Sequence, residues 1–426
     1  MADLSTIGLG DSLELDVPCG LSTHWQPPDD AHGADTDAVV GIILAGGQGT
    51  RLAPLTRSHA KPAVPFGARH RIIDFALSNF VNSGVRSVYV LLQHHSRSVR
   101  DHLRAVWHTV PGNGFVQPLQ AVERPFRGTA DAVRQSLDRL QVRSADAILI
   151  FGADHVYRMD VRQMLDFHRR RNADVTIAAL PVPTHEAREF GVIDCDADAR
   201  IQSFLEKPTH PPAMPDDPTR TLASMGNYCF SAEALQRAMH DCAHIEDLDF
   251  GRHVLPNMLR QGRRVFAYDF GTNRTQGKVN GFGYWRDVGT LDAYYEATLD
   301  TLGPQPRFDL NDRNWPIRVA GRSWPNARLL RAEINNTQIG PGAMVRDARI
   351  ASSVIRRAAT VDAGAHLDHC VVLDGARIAR GAQLRRVIVD RHASIPAHAK
   401  IGFDPERDAR SHFITPSGIT VVTNPL

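Results

Sequence analysis

From about residue 339 the apolar residues of this chain recur at every sixth position. The recurring residues are Ile355, Val361, Leu367 and Leu373; Val372, Ile378 and Leu384; and Val389, Ile395 and Ile401, with the small residues Gly364, Gly375, Gly381 and Ala393 between them. A helical period of 3.6 residues cannot produce this spacing, whereas in a parallel β-helix each short strand stacks on the strand one turn below. An antiparallel sandwich is disfavoured because the turn clusters expected of hairpins are missing. Residues 339–426 are therefore predicted to form a hexapeptide-repeat β-helix.

The region 39–300 has a different pattern, in which short apolar runs alternate with amphipathic stretches. VVGIILAG precedes RIIDFALSNFVNSG, SVYVLLQ precedes SVRDHLRAVW, and AILIFGAD precedes MDVRQMLDFHRRRN. Strands that are apolar throughout are buried on both faces, so the pattern predicts an α/β domain with a Rossmann-like, mostly parallel sheet. Ligands of such sheets bind beyond the carboxyl ends of the strands, which places the glycines after LAG and Asp154 on one rim.

Two further segments complete the predicted organisation. Residues 1–38 contain eight acidic residues and no Lys or Arg, and they show no sustained periodicity, so we expect an acidic, flexible extension. Residues 301–338 contain four scattered prolines before the last repeats begin and are expected to form a connector.

The composition of the 426-residue chain limits its partners and location. The net charge is +2, so the part after residue 38 carries about +10, which suits anionic ligands. The arginines are dispersed without aromatic interleaving, so no nucleic-acid partner is expected. No apolar run is long enough to span a membrane and no secretion signal is recognised, so a cytoplasmic protein without a membrane partner is expected. The five cysteines include no CxxC pair, which disfavours disulfides and a zinc cluster.

The stretch LAGGQGTRL after the first apolar run predicts a phosphate-binding loop. It is neither a Walker loop, which needs Gly-Lys where Gly49 and Thr50 stand, nor a dinucleotide fingerprint, which needs a glycine at Leu52. Exposed backbone N–H groups of a glycine-rich turn approach phosphates closely, and Arg51 and Lys61 would add positive charges. The alternative is a tight turn with solvated cations.

Several motifs resemble those of a known enzyme family. LAGGQGTRLAPLT with AKPAVPFG is similar to the signature of sugar-1-phosphate nucleotidylyltransferases. The resemblance narrows to the bacterial ADP-glucose pyrophosphorylases through RIIDFALSN, RGTADAV, FLEKP, ASMGNYCF, YWRDVGTLDAY and DRNWPIR, which occur in order along the chain. This resemblance implies a nucleotidyltransferase domain followed by a left-handed β-helix.

The resemblance also implies a reaction, in which ATP and glucose 1-phosphate give ADP-glucose and pyrophosphate in glycogen biosynthesis. Asp154 and Asp287 match the two carboxylates that hold Mg²⁺ in the family, while Arg51 and Lys61 are expected to contact the phosphates. The nucleotide-binding candidates are Gly46, Gly47, Gly49, Thr50, Gln120, Phe126 and Gly128, with Gln120 beside the adenine. The glucose-1-phosphate candidates are Gly191, Glu206, Lys207, Ser224, Tyr228, Asp249 and Trp285.

Regulation and assembly are expected from the same resemblance. Family members are usually tetramers controlled by anionic metabolites, so a homotetramer with allosteric control is predicted. Arg71, Arg385, Arg386 and Arg391 are the candidate effector contacts. Ser58 and His59 stand where a subgroup has a Lys-Arg pair for its activator, so a bisphosphate should bind weakly here.

Two alternatives to the adenylyltransferase remain open at this point. A noncatalytic regulatory subunit should have lost a phosphate-site cation or a metal carboxylate, and this chain retains both kinds of residue. A nucleotidylyltransferase that uses UTP or dTTP would differ only in base recognition.

Overall fold

A computed structural model describes residues 35–140, 144–275, 283–319 and 324–424. The acidic extension predicted for residues 1–38 lies almost wholly outside the described residues. Within the described part of the chain, no helix is long and apolar enough to cross a membrane.

A mixed sheet forms the centre of the first domain. Its strands and two small ribbons are β1 (Val39–Ala45), β2 (Pro65–Phe66), β3 (His70–Arg71), β4 (Ser87–Leu92), β5 (Phe115–Gln120), β6 (Ala147–Gly152), β7 (His155–Tyr157), β8 (Val175–Pro183), β9 (Gly191–Cys195), β10 (Ile201–Glu206), β11 (Arg220–Ser231), β12 (Val265–Asp269) and β13 (Trp285–Asp287). The main path runs β10-β9-β11-β6-β1-β4-β5, with β8 pairing β11 and β12. Strands β6, β1, β4 and β5 are parallel, whereas β11 runs antiparallel to β6, β8 and β9.

Helices cover both faces of this sheet. They are α1 (Ile73–Asn82), α2 (Ser96–Val106), α3 (Thr129–Ser136), α4 (Val161–Arg170), α5 (Ala232–Asp241), α6 (Leu255–Arg260) and α7 (Leu291–Leu299). Successive side chains of a strand point to opposite faces. Accordingly Ile43 of β1 packs in a core with α1, α2 and α4, while Ile42 packs in a second core with α3, α5 and α6. The α/β prediction for this region is confirmed.

Short parallel strands build the C-terminal domain. They are β14 (Arg328–Leu330), β15 (Glu333–Asn335), β16 (Gln338–Ile339), β17 (Met344–Arg346), β18 (Arg349–Ala351), β19 (Val354–Ile355), β20 (Thr360–Val361), β21 (His366–Asp368), β22 (Val371–Val372), β23 (Arg377–Ile378), β24 (Gln383–Arg385), β25 (Val387–Val389), β26 (Ser394–Ile395), β27 (Lys400–Ile401), β28 (Phe413–Ile414) and β29 (Thr420–Val422), with a short helix α8 (Pro405–Asp408). Every third strand pairs with the one below, as in β18-β21-β24, which gives three sheets around an apolar core. This arrangement confirms the predicted β-helix fold and is consistent with a left-handed coil.

The β-helix begins earlier than the sequence pattern indicated. Strands β14, β15 and β16 already pair with β17, β18 and β19, so residues 328–338 belong to the coil and not to the connector expected over 301–338. Their side chains are mostly exposed or half-buried, which explains why the six-residue apolar signal is absent there.

One arginine joins the two domains. Arg356 follows β19, and its guanidinium is fully buried. It donates to the carbonyl oxygens of Phe66 (2.7 Å) and Gly67 in the β2–β3 turn, and its Nε lies 2.8 Å from Asp374 Oδ1. Removing one partner of a buried charge pair is costly, so this contact fixes the β-helix against the loop that precedes α1.

Candidate active site

A cavity of about 550 Å³ opens at the carboxyl ends of β1 and β6. Its far wall is formed by the antiparallel strands β9, β10 and β11 and by the β7–β13 ribbon. Of the predicted site residues, those lining it are Gly46, Gly47, Arg51, Phe126, Gly128, Asp154, Gly191, Glu206, Lys207, Ser224, Tyr228, Asp249, Trp285 and Asp287. The expectation that ligands bind beyond the carboxyl ends of parallel strands therefore predicted where the cavity lies.

Two carboxylates and one ammonium form the centre of the site. Lys61 Nζ lies 2.8 Å from Asp154 Oδ2 and 3.2 Å from Asp287 Oδ1. Burial alone would raise the pKa of Asp154, but the Lys61 ammonium overcomes it and holds that pKa well below the usual range. Burial would likewise lower the pKa of Lys61, and the two carboxylates raise it instead. Asp154 and Lys61 are therefore both charged at neutral pH.

The same carboxylates are suited to a divalent cation. Ligand atoms of Asp154, His155 and Asp287 lie within 4.8 Å of one another. The β7–β13 pairing sets His155 directly opposite Asp287, so residues more than a hundred positions apart are held in register. Two carboxylate oxygens suit Mg²⁺, which keeps several waters and substrate oxygens as its other ligands. His155 had not been predicted, although it follows Asp154 in the chain.

The phosphate loop has a conformation that requires glycine at one position. Gly49 has φ 66°, and a Cβ there would lie 2.8 Å from the Cβ of Lys61. Arg51 follows in a short 3₁₀ turn, and its guanidinium is paired with the carboxylate of Glu189. Gly49, Thr50 and Lys61 are not among the described residues that line the cavity, although the Lys61 ammonium contacts two carboxylates that do.

Gln120, the residue predicted to contact the adenine, has other hydrogen-bond partners. Gln120 donates to Ser96 Oγ at 2.5 Å and accepts from Arg100 Nη1 at 3.2 Å, and it does not line the cavity within the described residues. Gln93, at the carboxyl end of β4, lines the cavity instead and donates to the carbonyl oxygen of Phe126 at 3.0 Å. The rule that found Asp154 would have found Gln93, because Gln93 directly follows β4 and Asp154 lies two residues after the end of β6.

Helix α3 begins at the part of the cavity that Gln93 and Phe126 also line. Gly128 is its N-cap in an extended conformation, and a Cβ there would overlap the carbonyl oxygen of Leu248. Only glycine permits this close approach, which brings the positive end of the α3 dipole to the cavity wall.

Acidic and aromatic side chains form the opposite wall. Burial, followed by the nearby Asp249 carboxylate, raises the pKa of Glu206, while Lys207 opposes this change. Asp249 accepts a hydrogen bond from Thr129 Oγ1 at 2.8 Å and caps the turn at Phe250–Val254. The Trp285 ring packs against His155 at 4.8 Å between centroids. This wall offers carboxylate acceptors and a flat apolar surface, the groups that bind sugars.

The candidate effector residues separate into two locations. Arg391 donates to the carbonyl oxygen of Leu55 at 2.9 Å, and Arg71 donates to that of Ala63 at 3.2 Å. Both approach His59, whose pKa is lowered to about 4 by burial and then by Arg391 and Arg71. Arg385 instead lines a groove on the β15–β18–β21–β24–β27 sheet, and Arg386 donates to Ser417.

Comparison with known proteins agrees with both domains. The nucleotidyl transferase family matches residues 40–303, and the GlmU-like C-terminal hexapeptide family matches residues 323–422. The fold and the cavity are thus those of a nucleotidyltransferase with a hexapeptide-repeat domain.

Curated relatives define the family more narrowly. Proteins named glucose-1-phosphate adenylyltransferase match over 90% of this chain. The relative from Thermodesulfovibrio yellowstonii is 43% identical with 95% of its length covered, and that from Deinococcus deserti is 41% identical with 98% covered. The chain belongs to the glucose-1-phosphate adenylyltransferase family.

Proposed function

We propose that this protein transfers the adenylyl group of ATP to glucose 1-phosphate, releasing pyrophosphate and forming ADP-glucose. The observation that carries the proposal is the Lys61 ammonium between Asp154 and Asp287, with Arg51 on the same cavity. These residues come from distant parts of the chain and combine metal ligands with phosphate-binding cations. The matching relatives carry this activity in their names.

In this reaction the protein mainly aligns the two substrates and neutralises their charge, because no side chain needs to form a covalent bond to them. An oxygen of the sugar phosphate attacks the α-phosphorus of ATP, and the bond to the β-phosphate oxygen breaks as pyrophosphate leaves. In this proposal Arg51 binds the β- and γ-phosphates and stabilises charge on the leaving group. Lys61 contacts the α-phosphate, and Lys207 contacts the phosphate of the sugar.

A divalent cation fits the two carboxylates of this site. Asp154 and Asp287 would hold it, and we propose Mg²⁺. When bound, it would neutralise phosphate charge and orient the substrate oxygens.

The glucosyl moiety is assigned to the acidic wall. The Glu206 and Asp249 carboxylates can accept hydrogen bonds from sugar hydroxyls, and Trp285 and Tyr228 supply apolar surface. Ser224 and the backbone of Gly191 complete this side. The adenine is assigned to the side of Gln93, Phe126 and Gly128.

Effector binding is proposed for the interdomain cleft around Arg71, Arg391 and His59. The buried Arg71 Nε has no hydrogen-bond partner among the described residues, and a negatively charged metabolite would provide one. A homotetramer and a cytoplasmic location remain predictions from the sequence. A noncatalytic regulatory subunit is disfavoured because every proposed phosphate and metal residue is retained.

One experiment tests the reaction and its base preference. Purified protein is mixed with glucose 1-phosphate, Mg²⁺ and each nucleoside triphosphate in turn, and released pyrophosphate is measured with and without anionic metabolites. ATP should be the preferred donor. Preference for UTP or dTTP would change the assigned nucleotide, and no turnover with any donor would support the regulatory-subunit alternative.

A further inference from the structure

An ion pair crosses the mouth of the cavity. Arg51 Nη1 contacts the Glu189 carboxylate, and the two residues lie on opposite walls, one after the phosphate loop and one before β9. Both side chains line the cavity and are about half exposed, at 50% and 57%. The pair is therefore accessible to a ligand that enters the cavity.

The Arg51 guanidinium lies at the phosphate end of the site. A Cβ placed on Gly289 would be 3.3 Å from Arg51 Nη2 and 3.0 Å from Asp287 Oδ2, so the guanidinium and the metal carboxylate are close neighbours. A phosphate beside Asp287 that binds Arg51 in a bidentate manner would use both terminal nitrogens, and Nη1 is the one that the Glu189 carboxylate contacts.

Glu189 is held on the sugar side of the cavity. It ends the short turn Ala187–Glu189, and the next residue, Phe190, accepts a hydrogen bond from Lys207 N at 3.0 Å. The Phe190 ring also packs against Trp285, with centroids 5.4 Å apart. The carboxylate is thus presented to Arg51 from a segment that is anchored to the sugar-binding wall.

We propose that Glu189 is an internal competitor for the polyphosphate: its carboxylate holds Arg51 until the triphosphate displaces it. This inference rests on the proposed function. Only the fraction of molecules in which Arg51 is released can bind polyphosphate fully, so the apparent dissociation constant equals the intrinsic constant divided by that fraction. An exposed ion pair is weak, so the expected factor is about two- to fivefold.

The effect should depend on which ligands contact Arg51. Nucleoside triphosphate, pyrophosphate and inorganic tripolyphosphate would all gain affinity by a similar factor when Glu189 is neutralised. Glucose 1-phosphate, bound at the opposite wall, would not. This pattern separates competition at Arg51 from a general change in the electrostatic potential of the cavity, which would affect every anion.

The test compares Glu189→Gln and Glu189→Ala with Glu186→Gln in the full-length protein. Glu186 lies in the same segment, is exposed, and has only the ring of His185 nearby among its ion-pair partners in the described residues. Binding of tripolyphosphate with Mg²⁺ is measured by calorimetry, and KM for ATP and glucose 1-phosphate by pyrophosphate release. Both Glu189 variants should bind tripolyphosphate about two- to fivefold more tightly, with the KM for glucose 1-phosphate unchanged.

A second comparison uses Arg51→Ala with and without Glu189→Ala. Because the competition acts through Arg51, the Glu189 substitution should have no effect on tripolyphosphate affinity in the Arg51→Ala background. Unchanged or weaker tripolyphosphate binding by the single Glu189 variants would overturn the proposal, and weaker binding would identify Glu189 as a support of Arg51 in the bound state. The calorimetric result does not depend on turnover, so it remains informative if the proposed reaction fails.

Discussion

The two walls of the cavity carry different chemical groups. The parallel wall, at the ends of β1, β4 and β6, offers backbone N–H groups, a helix N-terminus and the cation Arg51. The antiparallel wall, from β9 to β11, offers carboxylates and aromatic rings. In the proposed function, phosphate recognition uses positions set directly by strand ends, whereas sugar recognition uses side chains from strands that pair over long distances. The carboxylates of Asp154 and Asp287 lie between the two walls.

Asp154→Asn should have the largest effect, because it removes a metal ligand shared by both walls. We expect turnover to fall by about 10³-fold or more, measured as pyrophosphate release across a Mg²⁺ titration. Asp166→Asn, which removes only the surface partner of Arg170, is the control and should retain activity. Turnover of the Asp154 variant near that of the control would remove this residue from the catalytic centre.

Arg51→Ala tests the parallel wall alone. Losing a charge-assisted contact that strengthens in the transition state should lower kcat/KM for ATP by about 10²- to 10³-fold. Arg57→Ala is the matched control, since Arg57 is an exposed cation six positions later that does not line the cavity within the described residues. If the two variants lose activity equally, net positive charge rather than the position of Arg51 is responsible.

Lys207→Ala tests the antiparallel wall. It should raise KM for glucose 1-phosphate by about 10- to 100-fold while leaving KM for ATP nearly unchanged, because its ammonium is assigned to the sugar phosphate. Arg188→Ala removes an exposed cation of the neighbouring segment and should change neither constant. An equal loss for both substrates in Lys207→Ala would contradict the division into two walls.

The pH dependence of glucose 1-phosphate binding is a further test of the antiparallel wall, with a smaller expected effect. The pKa of Glu206 is raised from its ordinary value of 4.5, so this side chain gains a proton at a higher pH than other glutamates as pH falls. The protonated acid is a poorer acceptor, so wild-type affinity for the sugar should approach that of Glu206→Gln on acidification. The advantage at neutral pH should be about fivefold.

The ratio of the two KM values isolates Glu206, because the substrate phosphate titrates identically in both assays. A ratio that stays constant with pH would show that the charge on this carboxylate does not contribute to binding.

The site residues that could be predicted from the sequence are positioned in a different way from those that could not. Gly46 and Asp154 could be placed because parallel strands end at one edge, and this rule depends only on chain order. Gln120 was assigned by its place in a motif, and its side chain is instead occupied by Ser96 and Arg100. No sequence pattern indicated Glu189, because its contact with Arg51 depends on the pairing of β9 with β11.

The effector candidates show a related limit of prediction from the sequence. Arg385 and Arg391 are six positions apart, so the six-residue repeat predicts that they occupy equivalent positions in the coil. In the coil, however, β24 and the turn after β25 belong to different sides of a three-faced structure, so the two arginines meet different surroundings. Arg356 was missed because a buried arginine in a β-helix repeat has no periodic signature.

The buried Arg356 has a consequence for communication across the molecule. The stretch from Lys61 to Arg71 starts beside the Asp154 carboxylate and ends in the interdomain cleft, and its midpoint, Phe66 and Gly67, accepts hydrogen bonds from Arg356 of the β-helix. Close-packed protein interiors transmit strain, so we expect a displacement of Arg71 to reach Lys61 through this segment. The second domain holds the segment at its midpoint, so removing that domain should loosen the connection between the interdomain cleft and the Lys61 ammonium.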